Sequence, residues 1–171
     1  YADGKKIIKH NRTKKYARDK SNISETIIEI KNQFNLKNNC YLFILEPTSP
    51  LRTKNQIRKA HKLIIKNNYD SFCSFTEAMI SPYRAWKLRG KNLKPFMDFN
   101  KIWLPRQSFE TYYQAVGNII AINLQKYKSK NGILFGKQGY MMLDKIQSID
   151  VDVYDDLKIV RKILHYYNSK Y

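Results

Sequence analysis

CYLFIL-EPTSPLRT, residues 40–53, holds an apolar strand, a stiff polar turn and a helix start within fourteen residues. Cys40–Leu45 is a continuous apolar run of strand length. Such runs suit a strand covered on both faces, as in a parallel sheet. Pro47 and Pro50 then fix the backbone dihedrals of the turn. Thr48 and Ser49 offer hydroxyls and amides, and Arg52 offers a planar cation suited to phosphate or carboxylate. Thr53 followed by Gln56 forms a capping box for the next helix. In open α/β sheets ligands bind outside the carboxyl ends of the strands, which is where this turn falls. A turn that merely links strand to helix would have a similar composition, so these residues alone leave both readings open.

Outward from this stretch, periodicity predicts the other elements. Lys5–His10 reads as a short strand. Ser21–Phe34 reads as a helix with Ile23, Ile27, Ile30 and Phe34 on one face. The helix after Thr53 carries Ile57, Ala60 and Ile64 on one stripe and ends near Asn67. Ser71–Phe75 is a buried-strand candidate, and Tyr83–Leu88 a further strand entered through Pro82. Arg89–Pro105 has no clear period and reads as an excursion from the core. Gly117–Asn123 is a strand with a short helix after it. Gly139–Leu143 and Ile146–Val151 read as short strands, and Asp155–Tyr167 as a closing helix with Val160, Ile163, Leu164 and Tyr167 on one face. Strands alternating with helices predict an α/β domain with a three-layer, mainly parallel sheet.

The chain has 171 residues, enough for one domain with a real core. Its 32 lysines and arginines against 14 aspartates and glutamates give a net charge of +18, which favours anionic partners. Lysine is spread along the whole chain, however, so a solvated surface is the expectation and a nucleic-acid partner is not. No apolar stretch, including the one through Tyr41–Leu45, comes near the roughly 18 residues of a membrane helix. The start has no signal-peptide architecture. Cys40 and Cys73 lack metal or redox spacing and sit in apolar runs, as buried thiols of a cytoplasmic protein would.

Two further groups carry chemistry. Asp150-Val151-Asp152 is followed by Asp155 and Asp156. Residues i and i+2 of an extended segment point the same way, so Asp150 and Asp152 present two carboxylates together. Magnesium takes a few carboxylate oxygens plus substrate phosphates. Acidic residues also favour a helix N-terminus through its dipole, which accounts for Asp155 or Asp156 better than for Asp150. Arg106-Gln107 with Tyr112, Tyr113 and Gly117 puts a guanidinium, an amide and phenols near one another, as a grip on a sugar acid would. A surface loop with aromatic packing has the same composition.

In order and spacing these pieces resemble the acylneuraminate cytidylyltransferase family, the CMP-sialic acid synthetases. Leu45–Thr53 is similar to that family's L-[QE]-P-T-S-P-L-R-T. Asp70-Ser71 through Ser74 to Ser81-Pro82-Tyr83 resembles its D-S-x-x-S…S-P-Y stretch. Arg106-Gln107 with Tyr113-Gln114-Ala115-x-Gly117 resembles its R-Q…Y-x-x-x-G segment. Ser148-Ile149-Asp150-Val151-Asp152 resembles its S-I-D-I-D, and Arg12 with Ala17 and Asp19 resembles its R-P-x-x-x-A-x-D. The resemblance spans nearly the whole chain.

The resemblance implies a nucleotide-diphospho-sugar transferase-like fold, a homodimer and Mg2+. It implies transfer of CMP from CTP to the anomeric hydroxyl of a nonulosonic sugar acid, or of another 2-keto-3-deoxy sugar acid, with release of pyrophosphate. A basic nucleic-acid-binding module is the alternative from another class. By the same resemblance, Asp150 and Asp152 are catalytic and hold the metal. Arg12, Glu46, Pro47, Thr48 and Ser49 bind the nucleotide, and Arg52, Arg106, Gln107 and Tyr113 the sugar acid. Residues 82–116 form the excursion that reaches across the dimer, so Arg106 serves the partner's site. The family's phosphate loop, L-x-x-R-x-G-S-K-x-x-P-x-K-N, has no counterpart here. It belongs on a first strand ahead of Tyr1, so residues 1–171 are expected to be a single domain lacking that strand, cut from a longer protein and inactive alone. Glu46 stands where many members have glutamine, and Val116 where many have asparagine.

Overall fold

The computed structural model describes residues 8, 10, 13, 14, 22–97 and 99–168, with side chains left out at 99, 106, 131, 167 and 168. Arg12, Ala17, Asp19 and nearly all of the expected Lys5–His10 strand lie outside the described residues. Helix α1 spans Ile23–Gln33, and the Asn22 side chain caps it by accepting from the Ser24 amide at 2.9 Å. Strand β1 is Tyr41–Ile44. Helix α2 is Lys54–Asn67, opened by both hydrogen bonds of the Thr53–Gln56 capping box and closed by Asn68 in the left-handed region. Strand β2 is Ser71–Glu77, and β3 (Trp86–Arg89) and β4 (Asn92–Pro95) make a hairpin. Strand β5 is Tyr113–Asn123, β6 is Gln138–Met142 and α3 is Tyr154–Asn168.

The main sheet has the order β1-β5-β2-β6. Strand β5 is antiparallel to both β1 and β2, whereas β2 and β6 pair in parallel. The structure is thus α/β, but with a mixed sheet in place of the mainly parallel one expected. The reason lies in the connection. The chain leaves β2 at its carboxyl end and returns at that same end, where the Ala78 amide donates to the Tyr112 carbonyl at 2.8 Å. A strand that re-enters from the end it left must run back antiparallel. Strands β1, β2 and β6 therefore share one direction, and the loops after all three gather at one end of the sheet.

Helices cover both faces. Ala60 and Ile64 of α2 pack with Phe72, Ile119, Ala121 and Met141. Ile27 of α1 packs with Ile122 and Leu124 on the other face. Each of the larger buried side chains, Ile, Leu, Phe or Met, contributes roughly 1.5–3 kcal/mol. On α3, Val160 is buried as the periodicity predicted, whereas Leu164 is exposed.

Three other expectations change. Ile146–Val151 is a turn and an extended segment, because the Asp144 carboxylate accepts from the Gln147 amide (2.7 Å) and its carbonyl from the Ser148 amide (3.1 Å). The helix expected after β5 is a tight turn, with one short 3-10 segment at Ser129–Asn131. The excursion holds the β3–β4 hairpin, a separate two-stranded sheet. Among the described residues no helix is long and apolar enough to cross a membrane.

Candidate functional site

Leu45–Thr53 leaves the carboxyl end of β1 as two overlapping turns. The Ser49 amide donates to the Glu46 carbonyl at 3.3 Å, and the Arg52 amide to the Ser49 carbonyl at 3.4 Å. Ser49 is buried, Thr48 and Glu46 are half-buried and Pro47 is exposed. The Arg52 guanidinium folds back over this turn and donates to the Glu46 carbonyl. Its Nε also donates to the Asn118 carbonyl on β5. Burial pulls the Arg52 pKa down from its usual value, and the Glu46 carboxylate partly restores it.

Asn118 lies in a wide bulge. Cys73 of β2 faces Ile120 and Ser74 faces Val116, so Gly117, Asn118 and Ile119 are extra residues on β5. The buried Ser74 hydroxyl holds the bulge. It accepts from the Ile119 amide at 2.9 Å and lies 2.9 Å from the Val116 carbonyl. The Glu46 carboxylate lies against Gly117, so that a Cβ on it would displace that side chain. Cys73 lies in the same neighbourhood, and burial, followed by smaller effects that include the Glu46 charge, pushes its thiol up to about 11. It is therefore inert as a nucleophile at neutral pH.

The loop after β6 completes the site. The Asn118 side-chain amide donates to the Gln147 carbonyl at 3.1 Å. Four residues on, the Val151 amide donates to the Thr48 carbonyl at 2.9 Å. Asp150 and Asp152 thus flank a residue that is hydrogen-bonded to the proline-stiffened turn. The two differ in exposure. Asp152 is exposed; Asp150 is half-buried, with Oδ1 buried and without a hydrogen-bond partner. The neighbouring acids have structural work. Asp156 Oδ2 accepts from the Asp152 and Val153 amides, both at 3.0 Å, and Asp155 pairs with Lys158 at 2.8 Å. Among the described residues no three His, Cys, Asp or Glu side chains form a metal cluster. The buried, unpartnered Asp150 Oδ1 is the one feature that suits a cation, which would take its other ligands from phosphate and water.

Of the four sugar-acid candidates, Arg52 lies within this hydrogen-bonded site, whereas Arg106, Gln107 and Tyr113 sit apart from it. Arg106 and Gln107 begin a 3-10 turn within the excursion, and Gln107 is exposed. Tyr113 opens β5, is 57% exposed, and lines a pocket of about 400 Å³ with Phe75, Tyr140 and Met142. Four residues of strand separate it from Gly117, on the order of 13 Å. Two residues the sequence reading missed are Asn118 and Gln147. The available signal was Asn118 itself, a polar side chain inside the apolar run GNIIAIN. Compared with known proteins, the chain matches no family model and no curated protein.

Proposed function

We propose that this domain belongs to a cytoplasmic cytidylyltransferase that transfers CMP from CTP to the anomeric hydroxyl of a nonulosonic, sialic-acid-like sugar acid. The observation that carries the reading is the hydrogen bond from Val151 to Thr48. It brings the segment that carries the acidic pair alongside the turn, which supports a site where phosphates and a cation would meet. The sugar hydroxyl bonds to the α-phosphorus, the bond from that phosphorus to the bridging oxygen breaks, pyrophosphate leaves and the hydroxyl proton passes to solvent. The turn from Glu46 to Ser49 lines the nucleotide side with amides and hydroxyls. Asp150 and Asp152 would hold Mg2+, which supplies neutralising charge on the phosphate oxygens when bound. Arg106, Gln107 and Tyr113 would grip the sugar acid. Their distance from the ring suits the proposed homodimer, in which Arg106 serves the partner's site. The hairpin supports that assembly: Leu88 and Leu93 are a cross-strand pair, 69% and 66% exposed.

The test is pyrophosphate release by the full gene product with CTP, Mg2+ and a panel of 2-keto-3-deoxy sugar acids. Asp152→Asn should lower turnover at least ~100-fold while leaving the thermal midpoint within about 2 °C. Arg106→Ala should raise KM for the sugar acid far more than KM for CTP. A wild-type protein that releases no pyrophosphate with any member of the panel would sink the reading. One observation favours the other class: α2 carries a row of exposed cations, Lys54, Arg58, Lys62 and Lys66, with no acidic residue on the helix. Salt-dependent binding of a single-stranded oligonucleotide, with no response to CTP, would select that alternative.

A further inference from the structure

Three segments with no sequence adjacency close into one ring of hydrogen bonds. The turn after β1 reaches the β5 bulge through Arg52, whose Nε donates to the Asn118 carbonyl. The bulge reaches the loop after β6 through the Asn118 side chain, which donates to the Gln147 carbonyl at 3.1 Å. That loop returns to the turn through Val151, whose amide meets the Thr48 carbonyl at 2.9 Å. The same guanidinium also closes the turn on itself at the Glu46 carbonyl. Asn118 is 1% exposed, and both of its bonds are part-buried. Two separate carbonyls, met by Nε and a terminal nitrogen, suit the guanidinium fork, which fixes direction as well as charge; an ammonium cannot reproduce this.

We infer that Arg52 and Asn118 are positioning residues, a clasp that holds the Gln147–Asp152 segment over the Glu46–Arg52 turn. On this inference Arg52 acts through backbone carbonyls rather than by gripping the sugar acid. What the held carboxylates do rests on the proposed function, but the clasp itself does not. Gly117 sits beside the device, with the Glu46 carboxylate against its Cα. Ser74 belongs to it, pinning the bulge from β2.

Amide hydrogen exchange tests the clasp in the full gene product. Arg52→Ala, Arg52→Lys and Asn118→Ala should each speed exchange at Val151 by about tenfold or more, since each removes a part-buried charged or amide hydrogen bond. Exchange at Phe72 and Ala121, in the sheet centre, should stay unchanged. Arg52→Lys should recover little, because one ammonium cannot serve both carbonyls. If the protein turns over, Arg52→Ala should lower kcat while leaving KM for the sugar acid within about twofold. Unchanged exchange at Val151, with only the sugar-acid KM raised, would overturn the inference and make Arg52 a ligand. Equal acceleration at Phe72 and Ala121 would overturn it too, since that marks general loss of fold. Wild-type protein without pyrophosphate release removes the proposed function and leaves the exchange result to decide the clasp.

Discussion

Asp70 sits between α2 and β2 and ties the far end of the molecule together. Its Oδ1 accepts from the Lys126 ammonium at 2.6 Å, and its Oδ2 from the Lys137 amide at 3.0 Å. Gly136, with φ at +57°, lets the chain pass close to this carboxylate. The Lys126 bond, followed by the Lys137 amide, holds the Asp70 carboxyl below its usual range. A folded pKa below the unfolded value of about 3.9 adds stability above that pH, and the gain is lost as pH falls through the folded value. Lys126 is half exposed, so the ion pair itself is discounted for solvent screening. Asp70→Asn should therefore cost about 1–2 kcal/mol at pH 7, read by urea denaturation. The difference between mutant and wild type should shrink steadily below about pH 4. A cost that is independent of pH would show that Asp70 acts by packing. At this scale the sequence was informative where a side chain serves its own neighbourhood. Asp156 could be read as a helix cap because it lies within one turn of the helix start. The roles of Asn118 and Ser74 could not be read, because their partners lie 29 and 42 or more residues away.

Helix α2 shows how local chemistry fixes an element. The Gln56 amide donates to Thr53 Oγ1 at 3.2 Å, and the Thr53 amide to Gln56 Oε1 at 2.7 Å. Two of the free donors at the helix start are thus satisfied reciprocally. Thr53→Ala should destabilise the protein by about 1 kcal/mol in thermal or urea unfolding. An unchanged midpoint would mean that water replaces the cap. Because Thr53 directly follows Arg52, Thr53→Ser should restore most of the loss without disturbing the turn. Elements with such punctuation were legible, namely α1, α2, β1, β2 and β6. The sheet's direction was not, because GNIIAIN reads as a buried run whichever way it travels. The strand expected over Tyr83–Leu88 overlaps β3, but β4 was missed because it falls in the stretch read as an excursion and is largely exposed, despite the short alternation of Asn92-Leu93-Lys94-Pro95. The hairpin's turn is signalled by Gly90, which takes φ +60° at the first central position of a two-residue turn between the paired Arg89 and Asn92. The strand expected over Ile146–Val151 has a strand-like sequence, yet Asp144 captures its first amides and bends it into the turn that carries Asp150 and Asp152 across to Thr48.

Over the whole molecule a charge of +18 means self-repulsion, since the compact state holds like charges closer than the unfolded chain does. The sequence suggested an even spread of lysine. In the fold, the spread is uneven: α1 carries Glu25 and Glu29, α3 carries Asp155 and Asp156, and α2 carries none. Lys54, Arg58, Lys62 and Lys66 follow one another at intervals of four, about 6 Å apart along the axis. Like charges at that spacing oppose the helix by a few tenths of a kcal/mol per pair. Lys62→Glu removes two such repulsions and creates two attractions, with Arg58 one turn before it and Lys66 one turn after. The glutamate lies N-terminal to Lys66, the more favourable order for such a pair. The variant should therefore be more stable than wild type by about 0.5–1.5 kcal/mol at low ionic strength. The advantage should shrink several-fold near 1 M salt, where the screening length falls to about 3 Å. Wild type should gain stability over the same titration, as screening relieves its repulsion. If Lys62→Glu proves neutral at low salt, the row on α2 is already screened by its own side-chain mobility, and the net charge has no local focus there.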